Sequence, residues 1–231
     1  MKTIGLIGGM SWESTDLYDQ RINRHIQTKK GGLNSAQIIL YSVNFHTIEQ
    51  FQRESKWDEA TIYLANIALK LEIAGADVIG LFTNTMHKVA TDIQKQCSIP
   101  LLHIADPTIN AIKNQALNKI GLLGTQFTME QEFYISKFVD ENIEIVVPTV
   151  NERVNVHQII FNELCQGIVR MESKIEFMTI IHSMIGAGVE GIILGCTEIG
   201  LLIQQEDLNI PVFDTTDLHV NALVSFALNK S

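Results

Sequence analysis

The sequence predicts an α/β protein made of two pseudo-twofold-related α/β domains with mainly parallel sheets. Three observations carry this. Short apolar runs of strand length alternate with amphipathic helical patterns along the chain, the order of elements that builds parallel sheets. The runs are nearly continuous in Ile, Val and Leu, as expected of strands covered on both faces. The second half also repeats the first. Residues 74–83 lie over residues 187–196 without a gap, an offset of 113 (196 − 83). Residues 4–8 over 120–124 give 116 (120 − 4), and 99–101 over 210–212 give 111 (210 − 99). A pseudo-twofold pair would set equivalent strand ends against each other across a cleft, so position 83 would oppose position 196 and the active site would lie between the domains.

The elements follow in order. Residues 3–7 read as a strand ending at Gly8-Gly9. Ser11 then caps a helix running to about Lys29, with Ser14 where a capping box usually has an acid. Strand 36–43 is followed by a polar loop, 44–56, that carries His46, Gln52 and Arg53, and by a helix over 57–74. Strand 77–82 ends at Thr83-Asn84-Thr85-Met86-His87; a short helix, 86–96, and strand 100–104 complete the first domain. Asp106-Pro107 opens the next helix, with proline at its first position. Strand 119–123, a helix from about 128, strand 143–147, helices 153–166 and 173–187, strand 191–195 and strand 210–213 make the second domain, and a helix over 217–228 ends the chain. The first domain is thus residues 1–105, joined by the C-terminal helix (about 215–231), and the second is 106–214.

Composition narrows the function. A formal net charge of −9 over 231 residues argues against nucleic acid, which needs a basic surface. Three separated cysteines, Cys97, Cys165 and Cys196, make neither a disulfide framework nor a clustered metal site, and reduced thiols point to a cytoplasmic protein. No apolar run reaches the roughly 18–20 residues of a membrane span, and the first residues are too short in apolar character for a signal peptide.

The chemistry gathers at strand ends, where α/β sheets place their ligands. After the run Ile192-Ile193-Leu194 come Gly195, Cys196, Thr197 and Glu198. A thiol there can serve as a base or an acid once its surroundings set its pKa. Two opposed strand ends with acid/base groups suit a reaction that takes a proton from one face of a carbon and returns one to the other; here the pair is Thr83 and Cys196. Backbone N–H groups at Gly8, Gly9 and Met10 can hold a carboxylate near a helix N-terminus, but the spacing is not a dinucleotide fingerprint. Asn84, Thr85, Thr125, Thr128 and Thr197 supply neutral hydrogen-bonding groups. Glu198 either orients Cys196 or binds the substrate amine. His87, His103 and His219 lack metal-ligand spacing and read as core or surface residues.

These stretches together resemble the PLP-independent aspartate/glutamate racemase family, in the branch nearest aspartate racemase. The resemblance runs through Gly8-Gly9-Met10-Ser11-Trp12-Glu13-Ser14, Thr83-Asn84-Thr85-Met86-His87, Leu123-Gly124-Thr125 with Thr128, and Gly195-Cys196-Thr197-Glu198-Ile199. It implies two α/β domains around the site, a homodimer, no cofactor, no metal, and a small acidic amino acid as substrate. It assigns Asn84, Thr85, Thr125, Thr128 and Thr197 to binding the α-carboxylate and amino group, beside Met10 and Glu198 as candidates from their strand-end positions. Aspartate racemases carry an arginine for the side-chain carboxylate in the loop that here holds Gln52 and Arg53, so the resemblance implies that one of the two, Gln52 or Arg53, takes that role. Their second-half lysine, near the position of Cys165, is missing.

The chain departs from the family where a first cysteine is usual, at Thr83. An alcohol is a far weaker acid than a thiol, so Cys196 should deprotonate L-aspartate or L-glutamate while the Thr83 side only reprotonates. That predicts a racemase working much better on the L than on the D forms. The alternatives are a single-cysteine relative acting on a dicarboxylate, as a decarboxylase or a maleate-type isomerase, or an impaired protein that only binds acidic amino acids.

Overall fold

The computed structural model describes residues 1–229; residues 230 and 231, the end of the segment expected to join the first domain, lie outside them. The elements divide into two compact units, one of residues 1–104 with the chain from His219 onward, the other of residues 105–218.

The first unit holds β1 (Ile4–Gly8), α1 (Trp12–Lys30), β2 (Ile38–Ser42), α2 (Phe45–Arg53), α3 (Trp57–Ile73), β3 (Val78–Leu81), a 3-10 turn at Thr85–Val89, α4 (Ala90–Gln94) and β4 (Leu101–Leu102). Its sheet is parallel throughout, in the order β2-β1-β3-β4. Successive side chains of a strand point to opposite faces, and the sequence uses this. Ile7, Ile79 and Leu81 join a core with α3 residues such as Leu64, Ala68 and Leu71. Ile4, Leu6 and Val78 join another with Tyr18, Ile22 and Ile26 of α1. Each fully buried aliphatic side chain contributes about 1.5–3 kcal/mol.

The second unit holds α5 (Ala105–Asn114), β5 (Lys119–Gly124), α6 (Gln126–Glu130), α7 (Glu132–Val139), β6 (Glu144–Val146), α8 (Val150–Asn162), a 3-10 turn at Leu164–Gln166, α9 (Met171–Gly186), β7 (Gly191–Gly195), short 3-10 turns at Ile199–Leu201 and Gln205–Asp207, and β8 (Val212–Asp214). Its sheet, again parallel, runs β6-β5-β7-β8. The two orders are the same, so β3 and β7 hold equivalent places. The expected α/β class with two parallel sheets is what the chain forms. The last helix, α10 (Thr215–Leu228), sends Val220, Leu223, Val224 and Ala227 into the α1-side core of the first unit.

Some local expectations need correction. Residues 44–56, read as a polar loop, contain α2: the Asn44 side chain accepts from His46 N–H at 3.1 Å as the N-cap, and Phe45, Ile48 and Phe51 pack on the core at helical spacing. The helix expected from about 128 is two short ones, because Gln131 turns extended between α6 and α7. The segment 86–96 begins as 3-10 rather than α-helix. Strand 100–104 pairs only at Leu101 and Leu102.

Two glycines fix the strand ends. Gly9 has φ +87° and lies against Val43, so a Cβ would run into the Val43 carbonyl; only glycine combines that φ with that approach. At Gly195 a Cβ would fall 2.9 Å from the Leu123 carbonyl oxygen, which keeps the end of β7 tight on β5 immediately before Cys196.

Candidate active site

The end of β3 is built first. Phe82 N–H donates to the Ile7 carbonyl at 3.0 Å, and the chain turns at Thr83, whose N–H donates to the Leu81 carbonyl at 3.0 Å. Thr83, Asn84 and Thr85 are all buried, and the 3-10 turn follows at once. His87 ties this turn down. Its Nδ1 lies 2.7 Å from the Thr83 carbonyl oxygen and its Nε2 accepts from Ile104 N–H at 3.1 Å, so Nδ1 carries the proton and the ring is neutral. His87 also stacks edgewise on His103, with ring centroids 4.4 Å apart. His219, another buried ring, bridges the Leu102 carbonyl at 2.9 Å and Tyr18 Oη at 3.2 Å. These histidines join β3, β4 and α10. Among the described residues no group of three His, Cys, Asp or Glu could hold a metal ion.

Two other first-unit candidates sit beside the Thr83 turn. Met10 and Met86 belong to one buried cluster with Ile48. Gln52 is buried on α2, and its Nε2 donates to Met86 Sδ at 3.1 Å. Arg53 does not join them; its side chain is 61% exposed and pairs with Glu49 at 3.4 Å.

The end of β7, in the second unit, holds another group of candidates. Cys196 is buried, and its Sγ donates to Glu198 Oε2 at 3.0 Å. Thr197 Oγ1 donates to the same oxygen at 2.8 Å, and both Thr197 and Glu198 are buried. Burial pushes the Cys196 thiol well above its ordinary range. The Glu198 carboxylate adds to this by its charge and by accepting the S–H, and Cys165 adds to it as well; a backbone hydrogen bond from Glu198 pulls the other way. The resting group is therefore a thiol whose hydrogen is held against a buried carboxylate. Thr125 caps α6, its oxygen accepting from Thr128 N–H at 3.3 Å, and the two hydroxyls lie 3.2 Å apart. Thr128 packs near Gly195, within 3.4 Å of where a Cβ there would sit, so the pair stands beside the strand that delivers Cys196.

Within each unit, then, the candidates gather: Thr83, Asn84 and Thr85 with Met10 and Gln52, and Cys196, Thr197 and Glu198 with Thr125 and Thr128. The part played by His87, read from the sequence as a core or surface residue, emerges in the fold. Its signal was present in the four-residue spacing from Thr83 to His87 across a turn.

The chain is similar to known proteins along nearly all of its length. A family model described as Asp/Glu/hydantoin racemase matches residues 7–223. The chain is similar to the broad specificity amino-acid racemase RacX of Bacillus subtilis (strain 168), 27% identical over 225 residues and 96% of each chain. Among solved structures it resembles a candidate Asp/Glu racemase from Yersinia pestis at 51% identity, with a TM-score of 0.92 over 99% of this chain and 100% of that one. It also resembles an aspartate racemase homologue from Pyrococcus horikoshii OT3, 37% identical, with a TM-score of 0.84 over 99% and 100% of the two chains.

Proposed function

The chain belongs to the Asp/Glu/hydantoin racemase family, and from that premise we propose that it is a cofactor-independent racemase acting on L-aspartate, L-glutamate or both. Cys196 takes the Cα proton of the L form, and the Thr83 side, through its hydroxyl or a water it holds, returns a proton to the other face. The observation that carries this reading is the Cys196–Glu198 contact at the end of β7.

The contact addresses the main chemical difficulty. A thiol held protonated by burial is not a base, so its proton has to leave before it can accept another. Transfer from Sγ to Glu198 Oε2 leaves a thiolate beside a neutral carboxyl, with no charge exported to solvent. An arriving substrate ammonium favours the thiolate further by its positive charge. The thiolate then removes the Cα proton, the electron pair stays on the substrate as an enolate-like carbanion, and a proton from the Thr83 side completes inversion. Thr197 holds the Glu198 carboxylate in place by its hydroxyl. Asn84, Thr85, Thr125 and Thr128 are assigned to the α-carboxylate and ammonium.

The alcohol at position 83 limits the reverse path, but the limit cannot lie in kcat/KM for net racemisation. Enantiomers have equal free energies, so that quantity must be the same from either side. The asymmetry lies in hydrogen exchange. From the L form, Cys196 can remove the α-hydrogen and return a solvent-derived one to the same face without inversion, and nothing equivalent serves the D form. Incubation of L-aspartate and L-glutamate in D2O, followed by NMR, tests the reading: Cα deuteration that disappears in Cys196→Ala is expected. Turnover of a dicarboxylate without any amino-acid exchange would contradict it.

A further inference from the structure

Gln52 is 4% exposed and only half satisfied. Its Nε2 donates to the Met86 thioether, a weak acceptor, and its Oε1 is sealed from solvent with no hydrogen-bond partner among the described residues. Turning the amide over would set its carbonyl oxygen against the thioether sulfur, two acceptors face to face, so the free oxygen is the atom left unengaged. Met86 is three residues beyond Thr83, in the turn that carries the candidate acid/base side. A buried amide oxygen without a donor is a costly feature to keep, and this one belongs to a side chain held against the turn that follows Thr83. No cation of the same segment serves the spot: Arg53 pairs outward with Glu49, and Lys56 pairs with Glu54 at 2.6 Å.

An acceptor of this kind is satisfied by an N–H group, not by a carboxylate. We propose that Gln52 is the specificity-determining residue for the substrate side chain and that it admits L-amino acids ending in a carboxamide, L-asparagine or L-glutamine, besides acidic ones. The substrate NH2 donates to Gln52 Oε1, and the second Nε2 hydrogen is free to meet the substrate amide oxygen. The assignment rests on the racemase reading of the Thr83 turn. The same N–H chemistry is offered by the α-ammonium of every amino acid, and the experiment separates the two sources.

Cα deuteration rates in D2O are compared for L-asparagine, L-glutamine, L-aspartate and L-glutamate, with wild-type protein and with Gln52→Met, which fills the space against Met86 without a hydrogen-bonding amide. The readout is the ratio of carboxamide to acid kcat/KM for exchange, which does not depend on how much protein is folded. The wild type should deuterate the carboxamides, and Gln52→Met should lower the ratio about tenfold. Exchange confined to the acids would overturn the inference and leave the racemase reading standing. An equal loss for acids and carboxamides would overturn it too, by giving Oε1 to the α-ammonium. Absence of exchange with all four substrates would remove the racemase reading and this inference together.

Discussion

The two units share a strand order and differ at the end of the third strand. In the first, β3 runs into Thr83, whose carbonyl is clamped by a neutral histidine. In the second, β7 runs into Cys196, whose thiol is bonded to a buried carboxylate. One end has an alcohol fixed through its backbone; the other has an acid/base pair joined through its side chains. The two units keep the same strand order and end their third strands in unlike side chains, an alcohol in the first and a thiol bonded to a carboxylate in the second.

The largest effect is expected at the thiol end. Cys196→Ala should reduce Cα exchange from L substrates by about 10⁴-fold, the upper range for loss of an acid/base group, while retaining ligand binding measured by calorimetry. Glu198→Gln comes next. Exchange should fall about 10²-fold, because the thiol loses its proton acceptor, yet Cys196 should alkylate faster with iodoacetamide. The sign follows from the raised pKa: the buried thiol and its anionic neighbour keep Cys196 protonated at neutral pH, so wild-type alkylation should be slow near pH 7 and should climb only above the ordinary cysteine range of about 8.5. Removing the charge of Glu198 lowers that threshold. A variant with a more reactive thiol and a slower reaction would separate the two roles of the carboxylate.

Thr83→Cys places a thiol at both strand ends. Cα exchange from the D forms should rise roughly tenfold or more, measured by deuterium uptake. The smallest effect is expected away from both ends. The Thr149 hydroxyl donates to Glu152 within the capping box of α8, so Thr149→Ala should cost ~1 kcal/mol of stability in a denaturant titration and leave the L/D exchange asymmetry unchanged.

Much of this was legible in the residues. The repeat set 83 over 196, and the matching orders of the two sheets bear out the α/β class. The apolar runs at β1, β3 and β7 were clear because strands covered on both faces need continuous Ile, Val and Leu. Helix α2 was hidden because only one narrow stripe of it is apolar, so its polar majority read as loop. The side-chain links were less legible. Nothing in local spacing says that the hydrogen on Cys196 meets Glu198 rather than solvent, since that depends on how the chain turns after Gly195. His87 was equally obscure, as its second partner, Ile104, lies 17 residues away and meets it only once β4 is laid beside β3. Gln52 was marked by resemblance, but its unpaired oxygen is a property of the folded interior.

In the proposed reaction Cys196 of the second unit is the base and the first unit has none. Wild-type protein in D2O, given L-aspartate and D-aspartate separately, tests it most directly, with α-deuterium and enantiomer composition followed together at early times. L-aspartate should take up α-deuterium ahead of its conversion to the D form, whereas D-aspartate should show no uptake in excess of inversion. Equal excess exchange from both enantiomers would contradict it.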